Sequence, residues 1–387
     1  MSASKLDQFQ TLSGRPTWAE IDLETLAANL NSIKKRVGAE TRIMAVVKAN
    51  AYGHGAVDCA RRLAREGTDW FGVALPEEGI QLRQSGIVQP ILCLAGFFDG
   101  QATACIQHNL TPVVYRLDMV QAFDNAAREA GVVADIQIKI DTGMGRLGIR
   151  FDQLNDFVDA MRQFRNVRID GLLTHFAAAD DPSCKPLTQD QIRRFDEAVN
   201  LFRERGYRPT FLHLANSPGV FGSSEGWGNM VRPGGALYGL WRDILPPSVR
   251  EPGLAPVMSL YSRIVMLKWV PQGETIGYGC TFEVSRKTLI ATLPVGYHDG
   301  YMRGLSNRAH AIVRRTYAPV VGRVSMDLTL IDVTNVAAIE LGDKVTLIGR
   351  EGDLKISAED LAKVAGVLSY EVTCGISERV PRLLRMT

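Results

Sequence analysis

Lys48 closes the apolar run "RIMAVVK" (42–48), and a cation at the end of what reads as a buried strand poses a chemical question. The ordinary answer is snorkelling, with the stem packed and the ammonium in water. The chemical answer is an amine partly desolvated among other cations, a setting that lowers its pKa and suits it to a Schiff base with a carbonyl. "KIDTGMGRLG" (139–148) sets Lys139, Asp141 and Arg146 around a Gly-rich turn. That turn either leaves Arg146 on the surface or aims its guanidinium at a substrate carboxylate. His175 ends "LLTHF" and by itself reads as a hydrogen-bonded core histidine. "NSPG" (216–219) and "RPGG" (232–235) are Gly/Pro turns of the kind whose backbone N–H groups approach an anion.

These groups need a scaffold that gathers them. Short apolar runs alternate with amphipathic stretches from about residue 42 to 240: "RIMAVVKA", "WFGVAL", "ILCLAGF", "TPVVY", "IQIKID", "IDGLLTHF", "FLHLAN" and "MVRPGGALYG". Near-continuous Val, Ile and Leu is the mark of strands buried on both faces. "LETLAANLNSIKKRVG" (23–38) reads as a helix with Asp22 as its N-cap. The alternation predicts an α/β fold with an N-terminal (β/α)8 barrel, an open doubly wound sheet being the alternative. In a barrel, Lys48, Lys139, Arg146, His175, Asn216, Ser217 and Arg232 fall at C-terminal strand ends, around one mouth. A Schiff-base lysine and a phosphate site there together suggest a phosphorylated aldehyde, and pyridoxal 5′-phosphate meets both requirements. After Pro252 the texture changes to short strands broken by Gly, Pro and Asp, with one helix, "SAEDLAKVAG" (357–366). The expected organisation is a mobile tail over 1–14, the barrel over 15–253 and a mainly β domain over 254–387.

Composition narrows the classes. The 387 residues are 46% hydrophobic and 22% charged, which is globular and long enough for two domains. A net charge of +2 argues for neither nucleic acid nor an anionic membrane as partner. No apolar run approaches a membrane span, and "MSASKLDQFQTLSGRPTW" lacks the apolar centre of a signal peptide. The six cysteines and six histidines are scattered, without metal-ligand spacing. Reduced thiols and a cytoplasmic location are the expectation, with no metal.

"AVVKANAYGHG" resembles the cofactor-lysine motif of the alanine racemases, pyridoxal phosphate enzymes of fold type III. "DTGMGRLG", "THFA", "ANS", "MVRPG", "GYGCTF", "LPVGYHDGY", "GRVSMD" and "SYEVTCGISERVPR" resemble further segments of that family, in its order, from about Thr17 to Arg382. The family fold is a barrel plus a β domain. The resemblance implies an isomerase that interconverts L- and D-alanine, supplies D-alanine as a peptidoglycan precursor, and works as a homodimer with shared active sites. Lys48 would carry the cofactor and act as base on D-alanine. Tyr278, from the partner subunit's β domain, would act on L-alanine. Tyr52, Ser217, Gly234, Gly235 and Tyr370 would hold the phosphate, and Arg232 would contact the pyridine nitrogen. Arg146 and Met326 match positions near the substrate carboxylate. His175 would sit between Tyr278 and Arg232 in a hydrogen-bond relay, and Asn216 would be a supporting residue. Lys139 matches a lysine often carbamylated. Tyr297 and Tyr301 match tyrosines at the substrate entrance, with Asp327 alongside.

The implied roles make chemical sense. Two bases on opposite faces of Cα suffice for racemisation once the cofactor stabilises the carbanion. A tyrosine with a pKa near ~10 needs cations to act as base. By themselves, Tyr278, Tyr370 and "SMD" read as a strand tyrosine, a core ring and an ordinary turn. The rival readings are an amino-acid decarboxylase of the same fold type, a pyridoxal phosphate carrier without turnover, and a broad-specificity racemase. "GYGC" argues against the first, and the second domain against the second. His298 stands where the family has a small residue, which leaves the third open.

Overall fold

The computed structural model describes residues 15–385; the expected tail over 1–14 lies outside them. The chain divides into two units, one built from Leu26–Ala51 and Gly55–Leu254, the other, among the described residues, from 15–25, Tyr52–His54 and 255–385.

The first unit is the barrel. Its strands run in the order Met230–Val231, Arg42–Val46, Trp70–Val73, Ile91–Cys93, Thr111–Val114, Ala134–Asp141, Val167–Leu173 and Phe211–His213. Every adjacent pair in that series is parallel. The ring is nearly closed: Asn229 N donates to Leu212 O at 2.9 Å and Arg232 N to Ala215 O at 2.9 Å. The last strand is shorter than "MVRPGGALYG" suggested, because Pro233 has no N–H to give a ladder and Gly235–Tyr238 turn into a 3-10 helix. Met44, Trp70, Leu92, Val113, Leu173, Phe211 and Met230 pack as one buried cluster, with Trp70 edge-on to Phe211 at 5.0 Å. Strand alternation sends Ile136, Ile138 and Ile140 one way and Gln137, Lys139 and Asp141 the other. Gly171, registered with Gln137, leaves room for that amide: a Cβ there would lie 2.8 Å from Gln137 Cδ.

Directly after Lys48 the chain does something no periodicity foretold. Ala49, Asn50, Ala51 and Tyr52 all have φ between 52° and 54°, a left-handed turn without glycine. Each such residue costs roughly 1–2 kcal/mol. The bonds that hold it are specific: Ala49 N donates to Glu78 Oε1 at 2.6 Å, Ala51 N to Val47 O at 2.8 Å, and Ala56 N to Asn50 Oδ1 at 2.8 Å.

The second unit is mainly β. Its principal sheet runs Thr316–Pro319, His310–Val313, Lys344–Glu351, Met258–Arg263, Thr17–Asp22 and Arg382–Arg385, with Leu354–Ile356 paired to Lys344–Glu351. Here the expected boundary is corrected. Thr17–Asp22, assigned above to the barrel, pairs antiparallel with Met258–Arg263 and parallel with Arg382–Arg385. Thr17 Oγ1 also donates to Pro294 O at 2.9 Å. Asp22 does cap the following helix, accepting from Thr25 N at 2.8 Å. A second small sheet comprises Met266–Val270, Thr288–Leu293 and Thr329–Asp332. The expected helix spans Ala358–Ala365, capped by Ser357 and ended by left-handed Gly366; a further helix, Ser369–Gly375, follows it.

Gly53 gives the fold a sharp test. Its φ is +85°, and a Cβ would lie 2.0 Å from Thr373 O. Gly53→Ala is expected to destabilise this unit by on the order of 3 kcal/mol, through overpacking and a strained φ together. A melting temperature unchanged in thermal unfolding would contradict it.

Candidate active site

The barrel rim gathers cations. Lys139 is buried near the end of its strand, and its pKa falls from 10.5 to about 8 because of burial first, then Arg232, Arg146 and Lys48. Only Asp141 opposes that shift. Asp141 is committed to the turn, its Oδ1 accepting from Gly143, Met144 and Gly145 N–H at 3.0 Å each. Gly148 (φ +127°) lets the turn close, since a Cβ would meet Asp141 N at 2.6 Å. Arg146 is thereby presented on the exposed side of the turn.

Arg232 is the centre of the arrangement. It is buried, one residue past its strand. Its NH1 donates to His213 O at 2.8 Å and to His213 Nδ1 at 2.9 Å. Its NH2 donates to Thr174 O at 2.6 Å, Leu214 O at 3.0 Å and His175 Nδ1 at 3.3 Å. Burial lowers the guanidinium's pKa, but three carbonyls and two imidazole lone pairs favour its charged form. Both histidines must then be neutral with Nδ1 bare. This agrees with pKa values pushed well below the ordinary histidine range, by burial first and then by Arg232 and Lys139. The tautomers follow. His213 carries its proton on Nε2 and donates it to Gln137 Oε1 at 2.8 Å. His175 likewise carries a proton on Nε2, so the 3.5 Å approach of Asn216 Nδ2 is a contact rather than a donated bond. Asn216 instead caps the helix Ser217–Gly222, its Oδ1 accepting from Gly219 N at 3.1 Å.

The two Gly/Pro turns meet. Ser217 Oγ accepts from Gly234 N at 2.9 Å and Ala236 N at 3.3 Å, with Gly235 between them. Lys48 lies half-buried, two residues past its strand.

In the β unit, Tyr52 and Tyr370 come together, ring centroids 5.1 Å apart and edge-on. Burial, then Cys374, raises the Tyr52 pKa. Tyr278 stands 73% exposed on a turn where Gly277, Gly279 and Cys280 all have positive φ. The Arg323 guanidinium lies where a side chain at Gly279 would go, 3.0 Å from that Cβ position. Tyr297 and Met326 are exposed and on adjoining turns: Tyr297 N donates to Ser325 O at 2.9 Å and His298 N to Met326 O at 3.1 Å. Asp327 pairs with Arg379 at 2.8 Å. Tyr301 departs from its expected place at an entrance: it is buried, and burial raises its pKa.

Sequence reasoning missed His213, Gln137 and Glu78. The first two carried a signal. Gln137 falls on the same strand alternation as Lys139, two residues before it, and His213 is the polar residue inside the run "FLHLAN" that ends on Asn216.

Lys139 gives a pH test. Below pH 8 both folded and unfolded chains hold its proton, and the full burial cost is present. Between 8 and 10.5 the unfolded chain binds more protons, so stability rises with pH. Relative to Lys139→Met, the protein should gain on the order of 3 kcal/mol across that window. Denaturant unfolding at the two ends, with Lys139 as the free amine, checks this; a flat difference would contradict it.

Among the described residues no group of His, Cys, Asp and Glu is placed to hold a metal, and no helix is long and apolar enough to cross a membrane. A parallel barrel with a cationic rim, followed by a β unit, matches two family domains in order. The alanine racemase N-terminal domain covers residues 21–241, and the alanine racemase C-terminal domain covers 257–384. The chain belongs to the alanine racemase family. The alanine racemase of Geobacter sulfurreducens is 43% identical over 378 residues, covering 96% of this chain and 98% of that protein. The crystal structure of alanine racemase from Streptomyces lavendulae has a TM-score of 0.90 at 33% identity, covering 96% of this chain and 98% of that one. The Bartonella henselae enzyme, solved with covalently bound pyridoxal phosphate, has a TM-score of 0.86 at 27% identity, covering 96% and 99%.

Proposed function

We propose that this protein interconverts L- and D-alanine with pyridoxal 5′-phosphate held covalently through Lys48, using Lys48 and Tyr278 as the two bases. The observation that carries the reading is Arg232. Four of its terminal N–H groups are taken by carbonyls and neutral imidazoles, and among the described residues nothing engages its Nε–H. A buried donor so prepared fits an uncharged aromatic nitrogen, and the surrounding Lys48, Lys139 and Arg146 fit a phosphorylated, carboxylate-bearing complex. The relatives' names support the substrate, and the Bartonella structure supports the cofactor.

When bound, the cofactor spreads the negative charge left at Cα after deprotonation. Everything else is the work of the chain's own residues. Lys48 Nζ moves the proton on one face of Cα and the Tyr278 hydroxyl on the other. Ser217, Gly234, Gly235, Tyr52 and Tyr370 would hold the phosphate, partly through backbone groups. Arg146 and Met326 fix the substrate carboxylate. His175 keeps Nδ1 on Arg232 and turns Nε2–H outward, a donor suited to a phenolate. Tyr278 is taken to serve a second subunit's site, in a homodimer, which accords with its exposure. Lys139, with its lowered pKa, is a nucleophilic amine suited to carbamylation, which would abolish the titration described above. A cytoplasmic source of D-alanine for peptidoglycan is the role this reading gives the protein.

The test is direct. L-Alanine is added to purified, cofactor-loaded protein and D-alanine is followed by chiral analysis. Conversion to a near-equal mixture is expected. A cofactor-bearing protein that leaves alanine untouched but turns over another amino acid would overturn the substrate assignment.

A further inference from the structure

We propose that Asp299 is a positioning residue for the substrate: one buried carboxylate fixes the two turns that present Tyr297 and Met326. The inference rests on the alanine racemase reading above, which places those two residues at the substrate.

Asp299 has 0% of its side chain exposed, yet three chain segments converge on it. From its own turn, Gly296 N donates to Oδ2 at 2.9 Å. From the segment just before the strand Thr17–Asp22, Arg15 Nη2 lies 2.5 Å from Oδ1. From the segment after the Ser369–Gly375 helix, Arg379 Nε lies 3.4 Å from Oδ1, and Ser377 N donates to the Asp299 carbonyl at 3.1 Å. Arg379 is bivalent, since its NH2 also holds Asp327 at 2.8 Å. Asp327 follows Met326, so one guanidinium joins the carboxylate beneath Tyr297 to the turn that carries Met326.

Backbone bonds complete the joint, from Tyr297 N to Ser325 O and from His298 N to Met326 O. The packing leaves no slack. A Cβ on Gly296 would sit 2.3 Å from Ser325 O, and one on Gly300 would sit 2.3 Å from Gly375 O. The exposed side of the joint carries Tyr297 and Met326, 42% and 52% exposed. The carboxylate is oriented by the Gly296 N–H on Oδ2 and by the two guanidiniums that face Oδ1. With it removed, the turns keep their backbone contacts but lose the charge that sets their spacing. Displacement of a positioning group by even about 1 Å can cost up to about a hundredfold.

Two variants test the proposal in the cofactor-loaded enzyme. Asp299→Asn keeps the size and an acceptor for Gly296 but removes the charge. Arg379→Gln cuts the tie to Asp327 and leaves Arg15 on Asp299. Both should raise KM for L- and D-alanine about tenfold while kcat stays within about threefold, with the cofactor absorbance unchanged. Unchanged KM in Arg379→Gln would overturn the proposal. So would a fall in kcat alone, or failure of both variants to fold, which would make the joint purely structural. Absence of alanine racemisation in the unaltered enzyme is a separate result and would sink the underlying reading instead.

Discussion

Lys48→Ala is expected to abolish D-alanine formation from L-alanine, a loss of roughly a thousandfold or more, because one substitution removes both the covalent anchor and one of the two bases. The fold should be indifferent. The left-handed turn that follows is held through main-chain N–H groups, Ala49 to Glu78 and Ala51 to Val47, and none of these needs the lysine side chain. Melting within a few degrees of the unaltered protein, with cofactor that dialyses away, is the expected signature. The cationic surroundings remain, since Lys139, Arg146 and Arg232 are untouched, so the variant should still bind the phosphorylated aldehyde reversibly. Retained racemisation at a comparable rate would remove Lys48 from the mechanism and move the search to Lys139.

Much of this was legible because barrel strands are buried on both faces and so write themselves as apolar runs. A cation at or near the end of such a run is conspicuous, and Lys48, Lys139 and Arg232 were singled out that way. Three features were not legible, each for a physical reason. Thr17–Asp22 alternates like any half-buried strand, and alternation says nothing of which sheet will accept it. The turn at Ala49–Tyr52 contradicts local preference, since no residue in it is glycine; its cost is offset by Glu78, a partner distant in sequence. Asp299 reads as a polar residue in a Gly-bounded turn, and its burial beneath Arg15 and Arg379, both distant in sequence, shows only in the structure. Tyr301 departs in the opposite sense: it was expected with Tyr297 at an entrance, but its ring turns into the core. The family resemblance supplied the roles of Tyr278, Tyr297 and Met326, whose exposure then distinguished them from ordinary core residues.

Tyr278→Phe is expected to separate the two bases. The change removes one hydroxyl and leaves the ring, the turn built on Gly277 and Gly279, and the Arg323 guanidinium packed against Gly279. Racemisation moves a proton at both faces of Cα, so it should fall in both directions by roughly 10²–10⁴. Exchange of the Cα proton with solvent needs only one base. In deuterated water, D-alanine should therefore still exchange through Lys48 and be returned as D-alanine, while L-alanine should lose most of its exchange. Proton NMR of each enantiomer reads the two rates independently. An equal loss of exchange on both, with melting and cofactor loading unchanged, would mean that the hydroxyl positions the substrate rather than accepting its proton. Undiminished exchange of L-alanine would mean that another group on that face is the base. The asymmetry is the informative quantity, because damage to folding or cofactor loading would slow both enantiomers alike.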